Sequence, residues 1–213
     1  ITKFKDFCHK HKLFLIEDNA HGHSGQEDGK LLGTYGDMGF SSPRKHLGCA
    51  SGGVLYLNGH IKSAPQELVK LPVNWKKAIL QQSFTRFPTM KARLRNILRN
   101  RPEYTNPLYF NEICVTQNRA DDKSTQIIHE LNWNNFAEKQ RNIWSAWSLF
   151  AVENDLTPLW NNTHPDSCPW ALPVYSKNKE ERIHWLNWGW EKGFDVFSWP
   201  TLPQSVITSS PKA

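Results

Sequence analysis

Apolar positions in the first fifth of the chain follow two rhythms. Phe4 and Phe7 or Cys8 recur at helical spacing within residues 2–12, whereas Leu13-Phe14-Leu15-Ile16 is an unbroken apolar run. The first spacing predicts a helix, and the run predicts a strand covered on both faces, a pairing expected of α/β sheets. The run stops at Glu17-Asp18-Asn19, which puts an acidic pair at the carboxyl end of that strand. In open α/β sheets this is the edge where ligands bind. A polar connection punctuated by Gly22, Gly25, Gly29, Gly33 and Gly36 follows. Short strands are expected near 38–41 and 53–57.

Residues 60–122 give a weaker pattern. Met90, Leu94, Ile97 and Leu98 fall at helical spacing, while Pro102 to Asn118 supports no assignment. The pattern is helical again from Ser124 to Glu153, as one long helix or two consecutive ones, with Ile127, Ile128, Leu131, Ile143, Trp147 and Phe150 recurring. Residues 170–175 read as a strand. Ile183, Leu186 and Trp190 predict a helix over 179–192, on which Trp185 and Trp188 lie near one another as packing aromatics. No internal repeat or low-complexity tract is present.

Composition narrows the class. With 213 residues, 38% apolar residues, 10 Trp and 11 Phe, the chain has ample core material, which excludes a disordered chain, a collagen-like repeat and a disulfide miniprotein. No window offers the roughly 18 uncharged apolar residues of a membrane span. The four cysteines lie far apart and form no CxxC pair, so reduced thiols and a cytoplasmic setting are expected. Cys8-His9-Lys10-His11 lacks a second pair at zinc spacing and reads as structural or surface, leaving no metal expected.

The net charge of +6 is uneven: residues 68–102 hold no acidic side chain but nine basic ones, so the remainder nets about three negative charges. The plainest reading is an amphipathic helix with a solvated basic face. An anion site or partner surface is the second reading, and nucleic acid the weakest, since no reader motif accompanies the charge.

The chemistry concentrates in residues 13–57. Asp18 stands at a strand end, and Lys45 follows 27 residues later in Ser41-Ser42-Pro43-Arg44-Lys45, after another expected strand. Gly52-Gly53 then leads into the next strand. Lysine can form a Schiff base with an aldehyde cofactor, and a carboxylate facing a pyridine nitrogen keeps that ring protonated as an electron sink. A serine three residues before the lysine can donate to a cofactor phosphate. Each element alone is commonplace, because a strand-end Asp often caps a turn and a Lys beside an Arg is often solvated. Their order is the specific signal.

This stretch resembles the DegT/StrS family of pyridoxal-phosphate-dependent sugar aminotransferases. Ile16-Glu17-Asp18-Asn19-Ala20-His21 is similar to its Ile-Glu-Asp-Ala-Ala-Gln/His segment, Gly33-Thr34-Tyr35-Gly36-Asp37 to its Gly-Xaa-Xaa-Gly-Asp, and 40–53 to its serine- and lysine-bearing strand with a Gly-Gly turn. Arg141-Asn142, Pro173-Val174, Gly193 and Trp199-Pro200 carry a weaker likeness over 125–202. The resemblance implies that Lys45 carries pyridoxal 5'-phosphate, Asp18 pairs with its ring nitrogen, His21 lies near its ring hydroxyl, and Ser42 or Ser41 contacts its phosphate. Phe40 stands where the family usually has its serine, five residues before the lysine, and the chain instead has the shorter Ser-Xaa-Xaa-Lys.

What the resemblance implies for architecture is an α/β chain, part of a fold type I large domain with a mostly parallel sheet and flanking helices, followed by a smaller α+β domain. Residues 1–75 would be the carboxyl-terminal half of the cofactor domain, 76–122 the basic helix and connection, and 123–213 the small domain. The family's Gly-Thr phosphate turn and stacking aromatic are not recognised, so the chain is expected to be a fragment of a homodimeric enzyme. The implied reaction moves an amino group from an amino acid to a keto-sugar, nucleotide-linked, without nucleic-acid or membrane partners. A sugar dehydratase of the same fold typically carries histidine where Lys45 stands. The alternative from another class is a non-catalytic protein of this fold with a binding or regulatory role.

Overall fold

The computed structural model of the chain describes residues 1–47, 49, 51–59, 69–70, 118–194 and 196–198. Expectations for the basic helix, for the stretch 71–117 and for Trp199-Pro200 lie outside these residues. The fold is mixed α/β, and the chain divides into two compact units, Ile1–Gln81 with Thr116–Tyr175, and Gln82–Val115 with Ser176–Ala213.

In the first unit, helix α1 (Thr2–Lys10) precedes strand β1 (Ile16–Asn19). A small antiparallel ribbon follows, β2 (Gln26–Glu27) with β3 (Lys30–Leu31). Strand β4 (Met38–Ser41), the short helix α2 (Arg44–Leu47) and strand β5 (Val54–Leu57) come next. The main sheet has the order β1-β4-β5. β1 runs parallel to β4, with Asp18 opposite Phe40 and Asn19 opposite Ser41, whereas β5 runs antiparallel to β4. A mostly parallel sheet was expected, and the pairing of β4 with β5 departs from it. A second parallel pair joins β6 (Val69–Lys70) to β7 (Asn118–Arg119).

The apolar run at 13–16 does not form the strand. The ladder begins at Ile16 because the Asp37 carboxylate takes the Leu15 N–H at 2.9 Å and β4 pairs from Ile16 onward. Nor is the run covered on both faces, since Leu13, Phe14 and Ile16 are each more than half exposed. Strand alternation instead turns Glu17 and Asn19 inward and Ile16 and Asp18 outward. The acidic pair is thereby split between two faces with two different tasks.

Glu17 holds the loop that follows the ribbon. Its carboxylate accepts the backbone N–H groups of Gly33 at 2.8 Å and of Tyr35 and Gly36 at 2.5 Å each. Gly33 adopts φ +95°, which suits glycine, and Gly39 lies so close to the Gly33 carbonyl that a side chain there would collide with it. The Gly-Xaa-Xaa-Gly-Asp segment is therefore a clasp that fixes the start of β1. Glu17→Gln should lower stability by about 2–3 kcal/mol, because an amide cannot accept all three donors and sets an N–H against one of them. A shift in the urea midpoint measures this, and an unchanged midpoint would contradict it.

Helices α3 (Asp122–Glu130) and α4 (Trp133–Glu153) realise the two-helix version of the 124–153 pattern. Each begins at a side-chain cap, Asp121 accepting from Ser124 N and Asn132 from Asn135 N. Burial raises the Asp121 carboxyl, but hydrogen bonds from Ser51 and Ser124 outweigh it and hold the group below its ordinary value. Ala137, Trp144 and Ala151 of α4, with Leu156 and Cys168, are buried. β8 (Thr157–Pro158) then pairs antiparallel with β9 (Val174–Tyr175), a strand shorter than 170–175 because Pro173 has no N–H to give a ladder.

In the second unit, helix α5 (Lys179–Lys192) has the predicted bounds. Asn178 caps its start, and Gly193, at φ 88°, ends it in the left-handed conformation. Trp185 and Trp188 meet edge to face at 5.3 Å, and Trp188 stacks on Phe194 at 5.6 Å, all within this local cluster. Among the described residues no helix is long and apolar enough to cross a membrane.

Candidate active site

Asp18 closes the outward face of β1, and its Oδ1 accepts the Ala20 N–H at 3.0 Å. That bond turns the chain and delivers His21 just beyond the strand end. On the neighbouring strand, β4 ends at Ser41 and passes through Ser42-Pro43 into α2. The fully buried Pro43 has its φ fixed, and the carbonyls of Ser42 and Pro43 accept the N–H groups of Lys45 and His46 at 3.0 and 2.9 Å. Because β1 and β4 are adjacent and parallel, their carboxyl ends lie side by side. Lys45 Nζ thus comes within 2.8 Å of His21 Nε2.

Burial, followed by the nearby charge of Lys45, lowers the His21 pKa against the opposing pull of Asp18. The imidazole is therefore neutral near pH 7, and its Nε2 accepts an N–H from Lys45. The mutual influence of the three groups places Asp18, His21 and Lys45 in one electrostatic neighbourhood. His46 ties the same segment down, with its Nε2 donating to the His21 carbonyl at 3.2 Å.

The two candidate serines separate clearly. Ser41 is 3% exposed, and its Oγ is bonded to His23 Nδ1 at 2.6 Å, with Tyr56 OH at 3.4 Å. Ser42 is half-buried at the entrance to α2 and is the better placed for an external anion. His23 also packs edge-on against Trp133 at 4.1 Å. Burial, helped by the charge of His46, pushes its pKa from 6.5 down to about 4.

The structure also brings in residues that sequence reasoning missed. Trp170 packs on the His21 ring at 4.4 Å and donates from Nε1 to the Lys45 carbonyl at 3.1 Å. Glu17 and His23 lie inside the informative stretch, and their roles follow from strand alternation and burial. Trp170 had no signal, because its partner lies 125 residues away.

His23 yields a pH prediction. Its folded pKa is depressed, so its contribution to stability is full above pH 6.5 and is lost as pH falls towards about 4. The loss should be roughly 2 kcal/mol after allowance for solvent screening. His21 and His46 act in the same direction, so the measurement is the difference between wild type and His23→Gln in urea midpoints at neutral and acid pH. Equal acid sensitivity in both proteins would contradict the assignment.

Residues 1–98 match the DegT/DnrJ/EryC1/StrS aminotransferase family. The match covers a little under half of the chain and spans Asp18, His21, Ser42 and Lys45, so this part of the chain is similar to the DegT/StrS family. No curated protein and no solved structure matches the chain. The donor set fits the family's pyridoxal phosphate: an exposed primary amine for the aldehyde, a carboxylate on the outer face of the same sheet edge, a neutral imidazole between their charges, and a half-buried hydroxyl at a helix entrance.

Proposed function

We propose that these residues carry pyridoxal-phosphate-dependent transamination, from an amino acid donor to a nucleotide-linked keto-sugar. The observation that supports this best is the meeting of Lys45 and His21 at 2.8 Å beside Asp18, where the carboxyl ends of two adjacent parallel strands lie together. When bound, the cofactor supplies a pyridinium ring able to take up the electron pair left on the amino carbon of the donor.

Lys45 would anchor the cofactor through Nζ and, once released from it, would be the base that takes the proton from the donor's amino carbon and the acid that delivers it to the carbon that carried the cofactor's aldehyde. Asp18 keeps the ring nitrogen protonated, and its charge is most valuable when the ring is richest in electrons. His21 orients the ring hydroxyl and accepts from Lys45, and Ser42 holds the phosphate. The protein acts as a homodimer. The apolar face bearing Ile16, Phe40 and Leu55 alongside Asp18 supports an assembly that covers it.

The test is transfer of isotope-labelled nitrogen from amino acids to a panel of nucleotide-linked keto-sugars, followed by mass spectrometry. Labelled amino-sugar is expected. Labelled product only from simple keto acids would contradict the substrate class, and no transfer to any acceptor would contradict the reaction.

A further inference from the structure

Lys45 and His21 stand on slender supports. His21 lies in the turn after β1, and Lys45 belongs to a helix of only four residues. A lysine stem also carries about 2 kcal/mol of rotamer entropy, so a fixed Nζ position needs a fixed backbone beneath it. Trp170 reaches both partners. Its indole N–H donates to the Lys45 carbonyl at 3.1 Å, and its ring meets the His21 imidazole at 4.4 Å with planes 64° apart.

The segment that carries Trp170 is itself well anchored. Arg141 Nη1 donates to the Ser167 carbonyl at 2.8 Å, Gln26 N to the Asp166 carbonyl at 2.8 Å, and Leu159 N to the Pro173 carbonyl at 2.9 Å. Cys168 beside it is buried. Trp170 is therefore held from the α4 side while it touches the site from the other.

We propose that Trp170 is a positioning residue for Lys45, fixing its backbone through the indole N–H and steadying the imidazole that receives its amine. A contribution from the second half of the chain thus completes a site whose recognised motifs all lie in residues 1–98. The inference builds on the reading of Lys45 as the cofactor-bearing lysine, but the contacts are made without cofactor and can be tested without it.

Trp170→Phe keeps an aromatic ring and removes the N–H, while Trp170→Ala removes both contacts. Reductive methylation of the cofactor-free protein with formaldehyde and cyanoborohydride reads the reactivity of each lysine by peptide mass spectrometry, with exposed Lys30 as internal reference. The Lys45-to-Lys30 rate ratio is expected to rise at least threefold in Trp170→Phe, as the amine is freed from its bond to His21. In Trp170→Ala the same ratio should rise further, and the His21 titration, followed by NMR, should move up as its ring is uncovered. An unchanged ratio in Trp170→Phe would overturn the inference, even if the melting temperature fell, because that is the pattern of a merely structural tryptophan. Should Trp170→Ala not fold, Trp170→Phe decides alone. Failure of the cofactor reading shows separately, as absence of borohydride-trapped cofactor on wild-type Lys45.

Discussion

Lys45→Arg abolishes amino-group transfer on this account while the fold survives. Arginine keeps the positive charge beside His21, but its guanidinium cannot form an imine and does not exchange protons near neutral pH. Lys45 is half-buried and its amine meets His21 Nε2 in an exposed hydrogen bond, so little packing is lost. Stability should stay within about 0.5 kcal/mol of wild type, as for other surface substitutions. Activity and chemical denaturation measured on the same preparation check both halves. Residual transfer above the uncatalysed rate would mean that another lysine, or none, bears the cofactor.

Asp18→Asn has the second largest expected effect, and it separates chemistry from capping. As a cap alone, Asp18 contributes through the Ala20 N–H, a bond that asparagine also makes, and the substitution would then cost well under 1 kcal/mol. As the partner of the ring nitrogen, it loses its charge while keeping its shape. Cofactor should still attach, and the half-reaction with the amino donor should slow by roughly 100-fold, equivalent to about 2.7 kcal/mol of transition-state stabilisation. Single-turnover rates in wild type and variant decide. Equal rates, with only a lowered melting temperature, would make Asp18 a cap.

Local order explains which features were legible in the sequence. Helix α5 could be bounded to the residue because its signals are all local: Asn178 at the start, two glutamates in the first turn, Lys192 in the last and Gly193 beyond. Strand β4 was placed at its observed limits for the same reason, lying between the Gly33–Gly36 clasp and Pro43. The run at Leu13–Ile16 misled because apolar continuity says nothing about where a ladder starts. That depended on Asp37, which takes the Leu15 N–H from across the loop.

The site divides in the same way. Asp18, His21 and Lys45 were readable because a strand end, a turn and a short helix place them within one contiguous motif. The motif did not reveal that Glu17 serves the opposite face, although period-two alternation implies it. Ser41 and Ser42 could be separated only once burial and the His23 bond were seen. Trp170 depends on long-range packing, which a motif does not encode.

The measurement closest to the central claim is peptide mapping after borohydride reduction of the intact protein loaded with pyridoxal phosphate. The account predicts a single pyridoxyl-labelled peptide spanning Ser42 to Leu47, with the modification on Lys45. Label on any other lysine with none on Lys45, or no label at all from a saturated protein, would contradict it.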